Sequence, residues 1–390
     1  MRVAYVCADP GVPVFGRKGS SVHVQAILRA LVRRGDRVDL LACRFDGEPP
    51  ADLSAVAVHE LPRVPKGEPA ERERALLAAN GALGAALQRL GRIDLVYERC
   101  SLWSNAALEH ARHQGVPAVL EVNAPLVCEQ ATHRVLVDRA AAERVADRQA
   151  ATATVLSAVS EGVAAHLRER HPRAADRVHV IPNGVDPDRF PAGPRADAGR
   201  PFTVGFVGTL KPWHGLPELV EAFARLRGHR PEARLLIVGD GPGRSALEAE
   251  LEARGVRPAA ELAGAVAPSE VPAMLARMDA SVAPYPALER FYFSPLKVVE
   301  SMAAGLPVVA SAVGDLPRLI EDGRTGRLVA PGDPAALAAA LAALADRPQE
   351  RLRIGAAARE AVLRSHTWDA VLAHVLALCG GDRAGARVAA

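Results

Sequence analysis

Short apolar runs of β-forming residues alternate with helical patterns twice along this chain, and that doubled rhythm is the strongest constraint on its fold. In the first half the runs are VAYVCA (3–8), RVDLLA (37–42), DLVYE (94–98), PAVLEV (117–122), ATVLSAV (153–159) and RVHVI (177–181). Helical stretches separate them, such as SVHVQAILRALVRRG, with Val22, Ile27, Leu28 and Leu31 on one side and Gly35 as a stop. A second series holds FTVGFVG (202–208), ARLLIVG (233–239), DASVAP (279–284), PVVAS (307–311) and GRLVA (326–330). Between the two lies PNGVDPDRFPAGPRADAGRP (182–201), whose Pro, Gly and Asp content reads as a linker. The pattern predicts an α/β chain of two doubly wound domains, 1–185 and 202–364, joined by residues 186–201. Ligands of such sheets bind at the carboxyl ends of the strands, and a cleft between two of them is a natural site. After Ala330 the sequence reads as alanine-rich helix through about Cys379, with residues 380–390 a flexible tail.

Composition narrows the function. With 390 residues, 49% hydrophobic and 24% charged, the chain is long enough for two cores. No apolar run reaches the roughly 18–20 residues that span a bilayer, and MRVAYVCADP enters a strand directly, so the expected location is the cytoplasm. The net charge of +3, evenly spread, excludes a nucleic-acid footprint. Cys7, Cys43, Cys100, Cys128 and Cys379 are odd in number and widely spaced, which fits reduced packing residues better than disulfides or a zinc site. Helix candidates at 71–90 and 129–149 are rich in arginine but lack an aromatic anchor; peripheral membrane contact is left open. The oligomeric state is not legible.

Three clusters carry the chemistry. In GFVGTLKPWHG, Gly208 ends a strand and Lys211 and His214 follow in a turn before a helix beginning near Leu216 or Pro217; amides and cations after a strand make an anion site. In IVGDGPG, Gly239, Asp240 and Gly241 open a helix at another strand end, where glycines let a planar ligand approach the backbone. In FYFSPLKVVESMAAGLPVVAS, Ser294 is a hydroxyl N-cap and Pro295 an N1 residue, yet Lys297 falls in the first turn, where a cation opposes the helix dipole. An anion bound in front of the amides reverses that sign. Glu300 sits among Val298, Val299, Met302, Ala303 and Ala304, a costly place for a carboxylate unless it is hydrogen-bonded, as by a sugar diol; a solvated Lys297–Glu300 pair is the plainer alternative. Together the clusters suit a nucleoside diphosphate, with glycines near the base, Glu300 on the ribose and Lys211 and Lys297 on the phosphates.

The chain resembles family 4 of the retaining nucleotide-sugar glycosyltransferases, which have the GT-B fold. The resemblance rests on PVFGRKGSSVHVQ, IPNGVD (181–186) with Phe190, FVGTLKPWHG, VGDGP, SPLKVVESMAAGLPVVAS and SHTWDAVLAHVL (365–376). It implies two Rossmann-like domains, the first for the acceptor and the second for the donor, with the helix at 365–379 crossing back to the first. It further implies that Glu300 is the second Glu of the Glu-x7-Glu motif and holds the ribose. Ser294, Pro295, Leu296 and Lys297 would lie against the diphosphate and sugar, and Gly19 with Ser20 would approach the diphosphate from the first domain. Two positions depart from the pattern. The first Glu of the motif falls on Tyr292, leaving Glu289 to reach in, and the usual Arg and Lys of the glycine-rich turn fall on Thr209 and His214, leaving Lys211 to supply charge.

Asp186 and Asp188 form a literal Asp-x-Asp, but after Asn183-Gly184 they read as turn caps. No metal or cofactor is expected, with fixed cations and a helix start stabilising the leaving diphosphate instead. On the acceptor side, Glu98, Arg99, Glu121 and Asn123 end strands of the first domain; Glu98 and Asn123 are the leading hydroxyl contacts, and His23 and His110 read as helix-surface residues. The expected partners are a nucleotide-sugar donor, most simply UDP-linked, and a small-molecule, glycan or lipid-linked acceptor. Two rivals stand beside this reading. A nucleotide-sugar epimerase would need an acid–base pair at the sugar that is not apparent, and a non-catalytic nucleotide-sugar binder is suggested by Tyr292 and Thr209.

Overall fold

The structure, a computed structural model, describes residues 1–64, 66–191, 199–287, 291–292 and 294–380. The middle of the expected linker and residues 381–390 of the expected tail lie outside the described residues. The chain divides into two compact units, residues 1–183 with the chain from Trp368 onward, and Gly184–Thr367.

Among the described residues the first unit is built on seven strands, β1 (Arg2–Cys7), β2 (Arg37–Ala42), β3 (Ala57–Glu60), β4 (Leu95–Arg99), β5 (Ala118–Val122), β6 (Val155–Ala158) and β7 (Val178–Val180). They lie in the order β3-β2-β1-β4-β5-β6-β7, with β1 parallel to both β2 and β4. A central parallel strand is covered on both faces and so reads as an unbroken apolar run. Val3, Ala4, Tyr5, Val6 and Cys7 accordingly have no exposed surface. β3 escaped the sequence reading for the opposite reason: AVHE is a four-residue edge strand with half of its residues in water, and it carries His59 and Glu60.

The single helix expected at 129–149 is two, Leu126–His133 and Arg139–Thr152. Asp138 starts the second, its carboxylate accepting from the Ala141 amide at 2.8 Å. Buried Glu73 fixes the break between them by accepting from the amides of Val137 and Asp138, both at 2.8 Å.

The second unit repeats the plan with β8 (Thr203–Val207), β9 (Arg234–Val238), β10 (Ala260–Gly264), β11 (Ala280–Ala283), β12 (Val308–Ser311) and β13 (Arg327–Val329), ordered β10-β9-β8-β11-β12-β13. Side chains alternate between its two faces. Leu235 and Ile237 join a core under the helices Leu216–His229 and Pro334–Asp346, while Leu236 and Val238 join another under Leu296–Ala303 and Pro348–Ser365. β10, again a sheet edge and again carrying a Glu, is the other strand that the sequence pattern did not reveal.

Two expectations about the joining regions change. Residues 184–190 are packed rather than loose: Val185 and Phe190 are buried in the second core, and the Val185 amide donates to the His366 carbonyl at 2.8 Å. The alanine-rich stretch after Ala330 is three helices, Pro334–Asp346, Pro348–Ser365 and Trp368–Gly380, the second restarted by a proline in its first turn. The last helix belongs to the first unit, where the Trp368 ring meets His23 edge-on at 4.8 Å. Among the described residues no helix is long and apolar enough to cross a membrane.

Candidate active site

The three sequence clusters follow β9, β8 and β11, neighbours in the second sheet, at their carboxyl ends. Backbone bonds tie the first two loops together: Gly208 donates to Val238 O at 2.9 Å, Leu210 to Asp240 O at 3.0 Å and Gly243 to Leu210 O at 2.9 Å. Two glycines are required by this closeness. Gly239 has φ +137 and a Cβ on it would fall 2.0 Å from Gly208 O; Gly215 has φ +66 and its Cβ would fall 1.6 Å from Pro284 O, in the loop after β11.

The helix after β11 begins at Leu296, one residue later than expected. Pro295 takes the cap position and no side chain caps the helix, so Ser294 is not a hydroxyl N-cap; its carbonyl instead accepts from the Leu296 amide at 2.9 Å. Ser294 is half-buried, Pro295 buried and Leu296 exposed. Lys297 turns inward. Its Nζ is buried with no hydrogen-bond partner among the described residues, 4.6 Å from the centroid of Phe206 and 5.2 Å from that of Tyr285, and a Cβ at Gly208 would meet it at 3.0 Å. Ring faces attract a cation but do not replace a hydrogen-bonding counter-ion. Burial therefore pulls the Lys297 pKa down to about 7.

Glu300 is 26% exposed and does not pair with Lys297; its nearest cation is Arg189, 4.0 Å away. Burial raises the Glu300 pKa above its ordinary range while Arg189 pulls the other way. Sequence reasoning missed Phe206, Tyr285 and Arg189 because each acquires its neighbour only through the fold.

The remaining donor-side candidates line the same edge. Lys211 is half-buried with its ammonium 5.4 Å from the Trp213 ring. Thr209 is exposed and its carbonyl faces His214 Nδ1 at 2.5 Å. Burial, and then the charges of Lys297 and Lys211, pull the His214 pKa to about 4 against the opposing Thr209 bond. Asp240 is exposed, accepting from the Gly241 amide at 2.7 Å, with Arg244 at 3.7 Å. Tyr292 is half-buried, and Glu289 lies outside the described residues. Asp186 accepts from the Asp188 amide at 3.2 Å, a turn-capping bond.

In the first unit a buried polar cluster closes the ends of β4 and β5. Glu121 accepts from Tyr97 Oη at 2.8 Å, Arg99 Nη1 at 3.1 Å and Asn123 Nδ2 at 2.7 Å, and His23 Nε2 stands 2.8 Å away. Burial alone would raise the Glu121 pKa, but His23, Arg99 and Asn123 hold it well below the carboxylate range. His23 is thus a buried partner of Glu121, not a helix-surface residue, and half-buried His110 has an enclosed Nε2 without a partner. Glu98 has no exposed surface; Ser104 Oγ donates to it at 2.5 Å, and burial lifts its pKa to about 8. It faces the protein interior and cannot reach an acceptor hydroxyl in this conformation. Gly19 and Ser20 open the helix Gly19–Arg33, the first exposed and the second half-buried.

Two Rossmann-ordered parallel sheets in one chain define a two-domain α/β protein of the GT-B class. Comparison with known proteins carries this further. The profile described as Glycosyltransferase Family 4 matches residues 17–189 and that of Glycosyl transferases group 1 matches residues 201–347. A D-inositol 3-phosphate glycosyltransferase of Stackebrandtia nassauensis is 31% identical over 91% of this chain and 85% of its own length. A 2-deoxystreptamine glucosyltransferase of Streptomyces kanamyceticus is 30% identical over 93% of this chain and its full length. The fold is shared with Anabaena HepE, solved in complex with UDP, at 21% identity and TM-score 0.67, covering 97% of this chain and 100% of that one. The chain belongs to glycosyltransferase family 4.

Proposed function

We propose that this glycosyltransferase moves a hexose or aminosugar from a UDP-linked donor to an acceptor hydroxyl with retention at the anomeric carbon. The observation that carries the donor reading is the Lys297 ammonium, buried beside Gly208 at the carboxyl edge of the second sheet without a counter-ion among the described residues. A buried lone cation is costly, and a diphosphate in contact with it removes the cost. Glu300, one turn further along the same helix, then takes the ribose hydroxyls, and Lys211 adds a second positive charge. UDP in the Anabaena relative of the fold supports this choice of nucleotide.

In the reaction the bond from the anomeric carbon to the β-phosphate oxygen breaks, and a bond from the acceptor oxygen to that carbon forms on the same face. The acceptor proton passes to the leaving phosphate oxygen. Lys297 and Lys211 stabilise the charge that develops there without a metal. On the first unit, Asn123 and Arg99, fixed by Glu121, are the proposed acceptor contacts. The two relatives named above differ in the acceptor their names carry, so membership of the family leaves the acceptor class open among small molecules, glycans and lipid-linked sugars.

The test is a thermal-shift panel of UDP, GDP, ADP and their sugars, followed by NMR assignment of the product anomer. Ligand bound only by the native state stabilises it by RT ln(1 + [L]/Kd), a shift of several degrees at 100 Kd. No shift with any nucleoside diphosphate sinks the donor reading, and an inverted product sinks the mechanism.

A further inference from the structure

His214 closes the short turn Pro212–His214 after β8, and its ring packs against the same two aromatic rings that hold the Lys297 ammonium, with centroids 5.9 Å from Phe206 and 5.8 Å from Tyr285. Its Nδ1 lies 2.5 Å from the Thr209 carbonyl oxygen. A carbonyl can only accept, so Nδ1 carries the hydrogen. The other nitrogen, Nε2, has no hydrogen-bond partner among the described residues and is not among the enclosed unpartnered atoms. Either it bears a second proton, making an imidazolium, or it presents a lone pair. A second cation sharing two ring walls with a buried ammonium is electrostatically opposed, which selects the lone pair. Burial and the neighbouring lysines act in the same direction.

A lone pair at Nε2 repels phosphate oxygens, which only accept, and attracts a hydroxyl, which donates. We propose that His214 is not a counter-ion of the diphosphate but a specificity-determining residue whose Nε2 accepts a hydrogen bond from a hydroxyl of the transferred sugar. The assignment rests on the donor reading above, which places the β-phosphate at Lys297 and hence the sugar next to it. It also gives the charge at this loop to Lys211 alone.

The experiment has two arms on the full-length chain. ¹⁵N NMR of the imidazoles at pH 7.5, without ligand and with saturating UDP, is expected to show the Nδ1–H neutral form of His214 in both states. Kinetics of His214→Phe and wild type are then compared across UDP-glucose and its 2-, 3-, 4- and 6-deoxy analogues. Wild type is expected to discriminate against one analogue by about 10–100-fold in kcat/KM, as for a site built around one hydroxyl. His214→Phe is expected to lose that discrimination while its UDP Kd stays within about threefold. An imidazolium in the UDP complex, or a UDP Kd weakened tenfold or more in His214→Phe with discrimination intact, overturns the proposal. If wild type binds no nucleoside diphosphate, the donor reading falls with it, an outcome distinct from UDP binding to a protonated His214. Should His214→Phe fail to fold, the NMR of the wild type alone decides the tautomer.

Discussion

Lys297 Nζ and the ring of Phe206 are 4.6 Å apart, and among the described residues no hydrogen-bonding oxygen shares the ammonium. An aromatic face is a weaker partner than an anion, so until a ligand arrives the folded chain either holds this charge at a cost or, above about pH 7, gives up the proton. Lys297→Met is therefore expected to melt higher than wild type without ligand, by about 2–4 °C if ~1 kcal/mol is recovered. It should also lose the UDP-induced shift and about 10²–10³-fold in kcat. Calorimetry with and without UDP checks both signs.

The same residue makes the apo protein pH-sensitive. The ordinary Lys value is 10.5 and burial holds Lys297 at about 7. Between those limits the unfolded chain keeps a proton that the folded chain has released, so this group makes stability rise with pH from about 7 towards 10.5 and adds no slope below or above. UDP restores the charge, so binding at pH 8–9 is expected to take up nearly one proton, and UDP affinity falls as pH climbs above 7. Titration calorimetry in buffers of different ionisation heats measures the uptake; Lys297→Met should abolish it.

Glu300 on the ribose predicts a selective loss. Glu300→Gln keeps the shape but weakens the acceptor, and about 1.5–3 kcal/mol for a hydrogen bond to a charged group corresponds to roughly 10–100-fold in UDP Kd. Wild type should prefer UDP to 2′-deoxy-UDP, and Glu300→Gln should bind the two alike. Equal preference in both proteins would remove Glu300 from the ribose.

Glu121 gathers Tyr97, Arg99, Asn123 and His23 on one carboxylate. Removing its charge strands a buried guanidinium, and breaking such a pair costs about 3–5 kcal/mol. Because its folded pKa is depressed, Glu121 contributes stability that is complete above the unfolded value of 4.5 and is lost as pH falls below it. Glu121→Gln should accordingly be destabilised at pH 7 and show a flatter acid limb in urea melts between pH 5 and 3.

Gly239→Ala places a Cβ 2.0 Å from Gly208 O at φ +137. Both strain and contact oppose it, together about 2–4 kcal/mol. The loops after β8 and β9 part, and both melting temperature and UDP affinity should drop.

Much of this was legible in the sequence. Buried parallel strands such as β1 and β8 announce themselves as unbroken apolar runs, and glycines at strand ends mark the loops that must approach one another. β3 and β10 were hidden because an edge strand has one wet face and can carry Glu60 or Glu261 there. The unusual cation at a helix start pointed to Lys297, but not that Phe206 and Tyr285 would enclose it, since those rings arrive from β8 and from the loop after β11. His23 looked like a surface residue because its helix neighbours are apolar on the other side; strand β5 arriving with Glu121 and the last helix arriving with Trp368 bury it.

The lone ammonium beside Gly208 also bears on how the cycle ends. Transfer frees a terminal phosphate that carries more negative charge than the diester it came from, so the spent carrier is gripped harder than the incoming donor. On the proposed chemistry, UDP is a strong product inhibitor, and the departure of UDP, not glycosyl transfer, sets the pace of turnover.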